Sequence, residues 1–183
     1  MIQISFLAGE LFLALTWVLL RALVWLRNKR IDWCREALLL LMFVNLAVLL
    51  RCTFYPAARV DGHVQPLLFE PEAILPFRLN LVPLVHILRF STRREMMLNL
   101  LGNVAMFVPT GILYPILYRR LDRFWKVLLA GMGLSLCIEL LQLPFRVRAT
   151  DVDDLLLNTL GVIIGYGIFA LVRTWSGIKR REE

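Results

Sequence analysis

Groups that commonly carry chemistry are scarce in this chain. Its 183 residues hold three cysteines and two histidines, and charged residues make up 19% of the total. Cys34 sits in a basic loop, Cys52 near the end of one apolar run and Cys137 in the middle of another, so no disulfide framework is expected. No cysteine pair has metal-ligand spacing, and His63 and His86 are too far apart to outline a zinc site, so no metal site is expected. A Gly-rich phosphate loop is missing as well. Ser135 lies among leucines with no histidine nearby in sequence, which argues against a nucleophile there. No Lys or Arg precedes Arg21, so the basic start of a signal peptide is lacking and the first apolar segment is expected to be retained.

What the chain has in abundance is apolar length. Hydrophobic residues make up 59% and the mean hydropathy is +0.69. A helix rises 1.5 Å per residue, so roughly 20 apolar residues cross the ~30 Å hydrocarbon layer. Five runs reach that length: Ile4 to Leu26, Ala37 to Tyr55, Met96 to Tyr118, Phe124 to Leu143 and Leu155 to Val172. The expectation is an all-α polytopic membrane protein, one membrane domain over residues 1–183 with a compact bundle of about five helices. Glu10 and Arg21 lie near the two ends of the first run, from which long side chains reach the interface.

A net charge of +7 does not point to nucleic acid, because the basic residues form no binding stripe. They gather in three segments: Arg27 to Glu36, Arg119 to Lys126, and the tail with Arg173, Lys179, Arg180 and Arg181. With five spans these share one side, and the positive-inside rule makes that side cytoplasmic. The N-terminus, residues 56–95 and residues 144–153 are then expected outside, and the C-terminus inside. The segment 56–95 is too long for a simple connector and alternates turn formers with apolar patches. A piece lying on the outer leaflet, or a re-entrant lid around residues 77–84, fits it, and so does an anchoring interfacial helix.

That orientation gives the few intramembrane polar residues a common address. Asn99 and Asn103 are four apart near the outer end of the third span, Glu139 and Gln142 three apart at the end of the fourth, and Asp154 and Asn158 four apart at the start of the fifth. Arg148, Asp151 and Asp153 lie on the short connection above them. Asn and Gln on membrane helices often serve only as interhelical glue. An intramembrane carboxylate such as Glu139 is costly unless paired, and Arg146 or Arg148 is its expected partner. Gly161 and Gly165 are read as close-packing positions, and Pro109, Gly111 and Pro115 as a weak point in the third span.

The order Arg78-Leu79-Asn80-Leu81-Val82-Pro83, Asn99-Leu100-Leu101-Gly102-Asn103, Phe107-Val108-Pro109-Thr110-Gly111, Glu139-Leu140-Leu141-Gln142, Arg148 to Asp154 and Asn158-Thr159-Leu160-Gly161 resembles the VanZ-like family. The resemblance covers about residues 78–167, with Thr53-Phe54-Tyr55-Pro56 similar in character. It implies a multi-pass protein of the bacterial cytoplasmic membrane, related to lowered susceptibility to the lipoglycopeptide teicoplanin. Carried across by position, the motif residues are Arg78, Asn80, Asn99, Asn103, Glu139, Gln142, Arg148, Asp151, Asp154 and Asn158.

Two functions from different classes are compatible with that set. One is a binding protein whose outer-leaflet polar cavity engages a lipid-linked envelope precursor or the acylated antibiotic, with Arg78 and Arg148 holding an anionic group. The other is a membrane-embedded enzyme acting on such a lipid, with Glu139 as general base and Asp151 or Asp154 binding a divalent cation or orienting water. Membrane lipids are the expected surroundings in either case.

Overall fold

The computed structural model describes residues 2–55, 59–60, 62–74, 79–80, 92–145 and 150–176. Five long helices dominate: α1 (Phe6–Asn28), α2 (Trp33–Phe54), α3 (Arg93–Leu117), α4 (Phe124–Gln142) and α5 (Val152–Trp175). Each is long and apolar enough to cross a membrane, as the sequence requires, with ends displaced by a few residues from the expected ones. The starts are set by short polar caps. Ser5, Asp32 and Thr92 accept hydrogen bonds from the backbone N–H groups of Ala8, Arg35 and Glu95, satisfying donors that a helix cannot pair internally. Lys29 ends α1 in the left-handed conformation, with φ 53°.

The chain divides into two compact units, residues 1–83 with 136–152, and residues 84–135 with 153–183. In the first, α1 and α2 meet through Trp17 and Phe43, whose ring centroids are 5.1 Å apart. Arg21, expected to reach for the interface, meets Glu36 in the first turn of α2. Its Nε donates to Glu36 Oε2 at 2.9 Å and its Nη2 donates to Oε1, with the two side chains only 15% and 12% exposed. Pairing replaces water for both charges, which makes a mid-helix arginine tolerable in an apolar span. No residue of α1 is buried in the protein, and Leu11, Phe12, Leu15, Leu19 and Leu23 are all exposed. Such a surface belongs against lipid, where helices can leave an apolar face uncovered.

Between the end of α2 and the cap of α3, the described residues form short strands and one 3-10 turn. β1 (Ile2–Ile4) pairs antiparallel with β4 (Leu67–Phe69), and β2 (Arg59–Val60) pairs antiparallel with β3 (His63–Val64). Gly62, at φ 77°, supplies the left-handed residue that so tight a hairpin needs. A 3-10 turn follows at Pro71–Ile74, and β5 (Leu79–Asn80) pairs parallel with β6 (Thr150–Asp151). The end of α4 is fixed to this layer: Glu70 N–H donates to Pro144 O at 2.9 Å, and Phe145 packs edge-on against Phe54 and Phe69. Tyr55, 1% exposed, donates from its hydroxyl to Ser5 O at 3.1 Å and so ties the end of α2 to the start of α1. Most of the run 77–84, including Arg78, lies outside the described residues.

In the second unit, α3, the first part of α4 and α5 pack around Phe107, Leu113, Val127 and Val162. Glycines set the spacing. A Cβ on Gly161 would strike Val104 O, one on Gly165 would strike Val108 O, and one on Gly111 would strike Val162 O, so α3 and α5 touch backbone to backbone. That is the close-packing role read from Gly161 and Gly165, with small residues admitting a neighbouring helix. Pro109 and Pro115 are accommodated inside α3, which stays helical from Arg93 to Leu117.

Candidate functional site

Of the polar residues singled out in the sequence, Asn103, Glu139, Gln142, Asp151 and Asn158 are buried in the protein, and those with described side chains fall into two sets, one in each unit. The first set forms at the end of α4. Glu139, 3% exposed, and Gln142 are three residues apart and therefore on one face of the helix, turned into the protein. Glu139 Oε2 accepts from the backbone N–H of Asp151 at 3.2 Å. Gln142 Nε2 donates to the backbone carbonyl of Thr53 at 2.6 Å.

Both bonds engage backbone groups that helices and strands leave over, an efficient use of a polar side chain in an apolar setting. The Thr53 carbonyl belongs to the last turn of α2, whose carbonyls have no partner within the helix. Asp151 is the residue of β6 that faces Asn80 of β5, so the same short stretch of backbone meets Glu139 and the parallel ladder. Asn80 is thus brought beside Asp151 by strand register. Arg146 and Arg148, the cations expected for Glu139, lie outside the described residues.

The second set joins α3, α4 and α5. Asn103 Nδ2 donates to Asp154 Oδ1 at 2.6 Å, linking α3 to the first turn of α5. One turn further along α5, Asn158 Nδ2 donates to Ser135 Oγ on α4 at 2.9 Å. Asp154 and Asn158 share a face, as their spacing of four requires. Asn103, Ser135 and Asn158 are buried, Asp154 is half-buried, and Asn99 is exposed despite lying one turn from Asn103. α3 begins at Arg93, so Asn99 stands in its second turn, where the side chain remains uncovered by the protein. Among the described residues Asn158 Oδ1 is a buried acceptor with no hydrogen-bond partner.

Two partners escaped the reading of the sequence. Ser135 was set aside for lack of a histidine, yet it is fully buried and receives Asn158. Its signal was its type: a hydroxyl in the middle of an apolar helix is a ready interhelical partner. The Thr53 carbonyl carries no sequence signal of its own, because any residue at that place offers the same group. Among the described residues no three His, Cys, Asp or Glu side chains come together in a way that could hold a metal ion. Cys34, Cys52 and Cys137 are free and exposed.

Five apolar spans, with buried polar bonds between them, define a polytopic helical membrane protein. The VanZ/LLP1 family model matches residues 38–173, and the chain belongs to that family. It is 34% identical over 108 residues to Protein VanZ of Enterococcus faecium, an alignment covering 57% of this chain and 60% of that protein. The match thus spans about three-fifths of the relative's length. No solved structure matches the chain. The family match begins within α2, well ahead of the motifs from Arg78 onward that carry the resemblance in sequence.

Proposed function

We propose that this protein is a binding protein of the bacterial cytoplasmic membrane, related to teicoplanin susceptibility, that engages a lipid-linked envelope component or the acylated antibiotic on the outer side. The polar groups at the end of α4 make the contact, with Arg78 and Arg148 holding an anionic group by paired hydrogen bonds. The observation that carries this reading is the buried bond from the Asp151 N–H to Glu139. It uses the carboxylate to hold backbone in place, which is the work of a scaffold for a binding site rather than of a base waiting for a substrate proton. Family membership supplies the link to teicoplanin.

Teicoplanin protection in cells expressing the protein tests it. Glu139→Gln keeps an acceptor for the Asp151 N–H, so it is expected to fold and retain most of the protection. Glu139→Leu is expected to lose it. Complete loss in a folded, membrane-inserted Glu139→Gln variant is the pattern of a general base and would turn the assignment to membrane-embedded catalysis, with Asp151 or Asp154 as its partner.

The outward orientation has its own measurement. With Cys34, Cys52 and Cys137 replaced, an impermeant thiol reagent added to intact cells is expected to label His63→Cys in β3 and to leave Arg120→Cys, between α3 and α4, unlabelled. The opposite pattern places the site on the cytoplasmic side and removes the antibiotic-facing reading.

A further inference from the structure

Positive charge without counterions gathers at one end of the second unit. The connection between α3 and α4 reads Tyr118-Arg119-Arg120-Leu121-Asp122-Arg123, and its three arginines are exposed. Its one acid, Asp122, is engaged by Lys126, whose Nζ lies 2.6 Å from Oδ1. α5 adds a fourth guanidinium at this end. A Cβ on Gly161 would meet Val104 O and one on Gly165 would meet Val108 O, so α3 and α5 run parallel. The same register carried onward sets the last turn of α5, with Arg173 and Trp175, level with the end of α3 at Leu117. Phe124, at the start of α4, packs edge-on against Tyr166 of α5 with ring centroids 5.4 Å apart, which keeps the connection beside that helix. Among the described residues the guanidiniums of Arg119, Arg120, Arg123 and Arg173 form no hydrogen bond or ion pair. Two indoles stand out beside them, Trp125 at 68% exposure and Trp175 at 96%.

Like charges brought together repel, and a bare indole gains little from water. Both costs are relieved where bilayer headgroups meet acyl chains, the level at which indoles settle and anionic lipids attract basic side chains. We propose that this end of the second unit holds an anionic phospholipid, its phosphodiester bound by the arginines of the α3–α4 connection and the end of α5, with Trp125 and Trp175 against its glycerol and upper acyl chains. A guanidinium fork donates two parallel hydrogen bonds to a phosphate. A choline lipid carries the same phosphate, but its ammonium brings a cation that four arginines repel. A free anion would leave the two indoles uncovered, so the ligand is the lipid and not its headgroup alone. These residues take no part in the binding function proposed above, and the inference stands or falls without it.

The purified full-length protein in neutral detergent is titrated with phosphatidylglycerol, phosphatidylcholine of the same acyl chains, and soluble glycerophosphoglycerol. One basic side chain at an anionic lipid surface contributes about fivefold in affinity, so the glycerol lipid is expected to bind about twentyfold more tightly than the choline lipid, the effect of two such charges. The double variant Arg119→Gln with Arg123→Gln is expected to bring the two lipids to about equal affinity, and both positions are exposed. Arg27→Gln with Arg30→Gln takes the same charge from the connection between α1 and α2, in the first unit, and is expected to keep the preference. Equal affinities in the wild-type protein overturn the proposal without need of any variant. Equal loss in the two double variants also overturns it, as the mark of attraction to net charge rather than of a site. Glycerophosphoglycerol binding as tightly as the lipid overturns it too, because the indoles and acyl chains would then contribute nothing.

Discussion

Replacing Gly165 with leucine is expected to prevent the second unit from folding. Even a methyl group there meets the Val108 carbonyl and crowds the Gly111 Cα, and backbone atoms cannot swing aside as a side chain tip can. Overpacking a tight contact typically costs about 1–3 kcal/mol, and a helix wedged off its neighbour along its length exceeds that range. The comparison is Gly167→Leu, two residues on along α5, where no atom lies within 4 Å of an added Cβ. Leucine suits a lipid-facing position, so that variant is expected to match the wild-type protein. Size-exclusion profiles of the two variants in detergent decide the matter. A monodisperse Gly165→Leu peak with wild-type melting would mean that α3 and α5 are not in backbone contact.

The second large effect concerns Arg21 and Glu36. Removing one member of this part-buried ion pair leaves the other charge without its partner, a loss of about 1–3 kcal/mol, below the ~3–5 kcal/mol of a fully buried pair. Glu36→Leu and Arg21→Leu are each expected to lower the melting temperature in detergent strongly, Glu36→Leu the more so because it leaves a guanidinium that never gives up its proton. The double leucine variant is expected to recover most of the loss, since apolar replacement of a whole buried pair is often neutral or stabilising. A double variant that melts as low as the worse single would show that the pair holds α1 and α2 together by more than mutual neutralisation.

Much of this molecule was legible before any coordinates. The five spans follow from apolar length, and α4 and the burial of Glu139 with Gln142 follow from a spacing of three in an apolar run. Gly161 and Gly165 announced close helix contact through their spacing of four. Partners across the fold were less legible. The partner of Arg21 was not legible, because sequence offers no distance to Glu36, fifteen positions away on another helix. Asn99 and Asn103 obey the same periodicity, yet one is exposed and the other buried, because burial depends on what stands opposite each turn. The Thr53 carbonyl and the Asp151 N–H were invisible for a simpler reason: backbone groups are the same at every position, and only the fold decides which are left over.

The parallel pairing of Leu79–Asn80 with Thr150–Asp151 has a bearing on how the chain is made. The two strands are separated by roughly 70 residues, several seconds of synthesis at bacterial or eukaryotic ribosome speeds, and α3 and α4 lie between them. The first strand therefore emerges long before its mate and must wait while two helices are delivered to the bilayer. The backbone N–H that Glu139 accepts arrives at the same late moment, with Asp151. Assembly of the polar site is thus a final event of biogenesis, and a chain stalled before residue 150 holds its α4 carboxylate without the backbone group it was placed to meet.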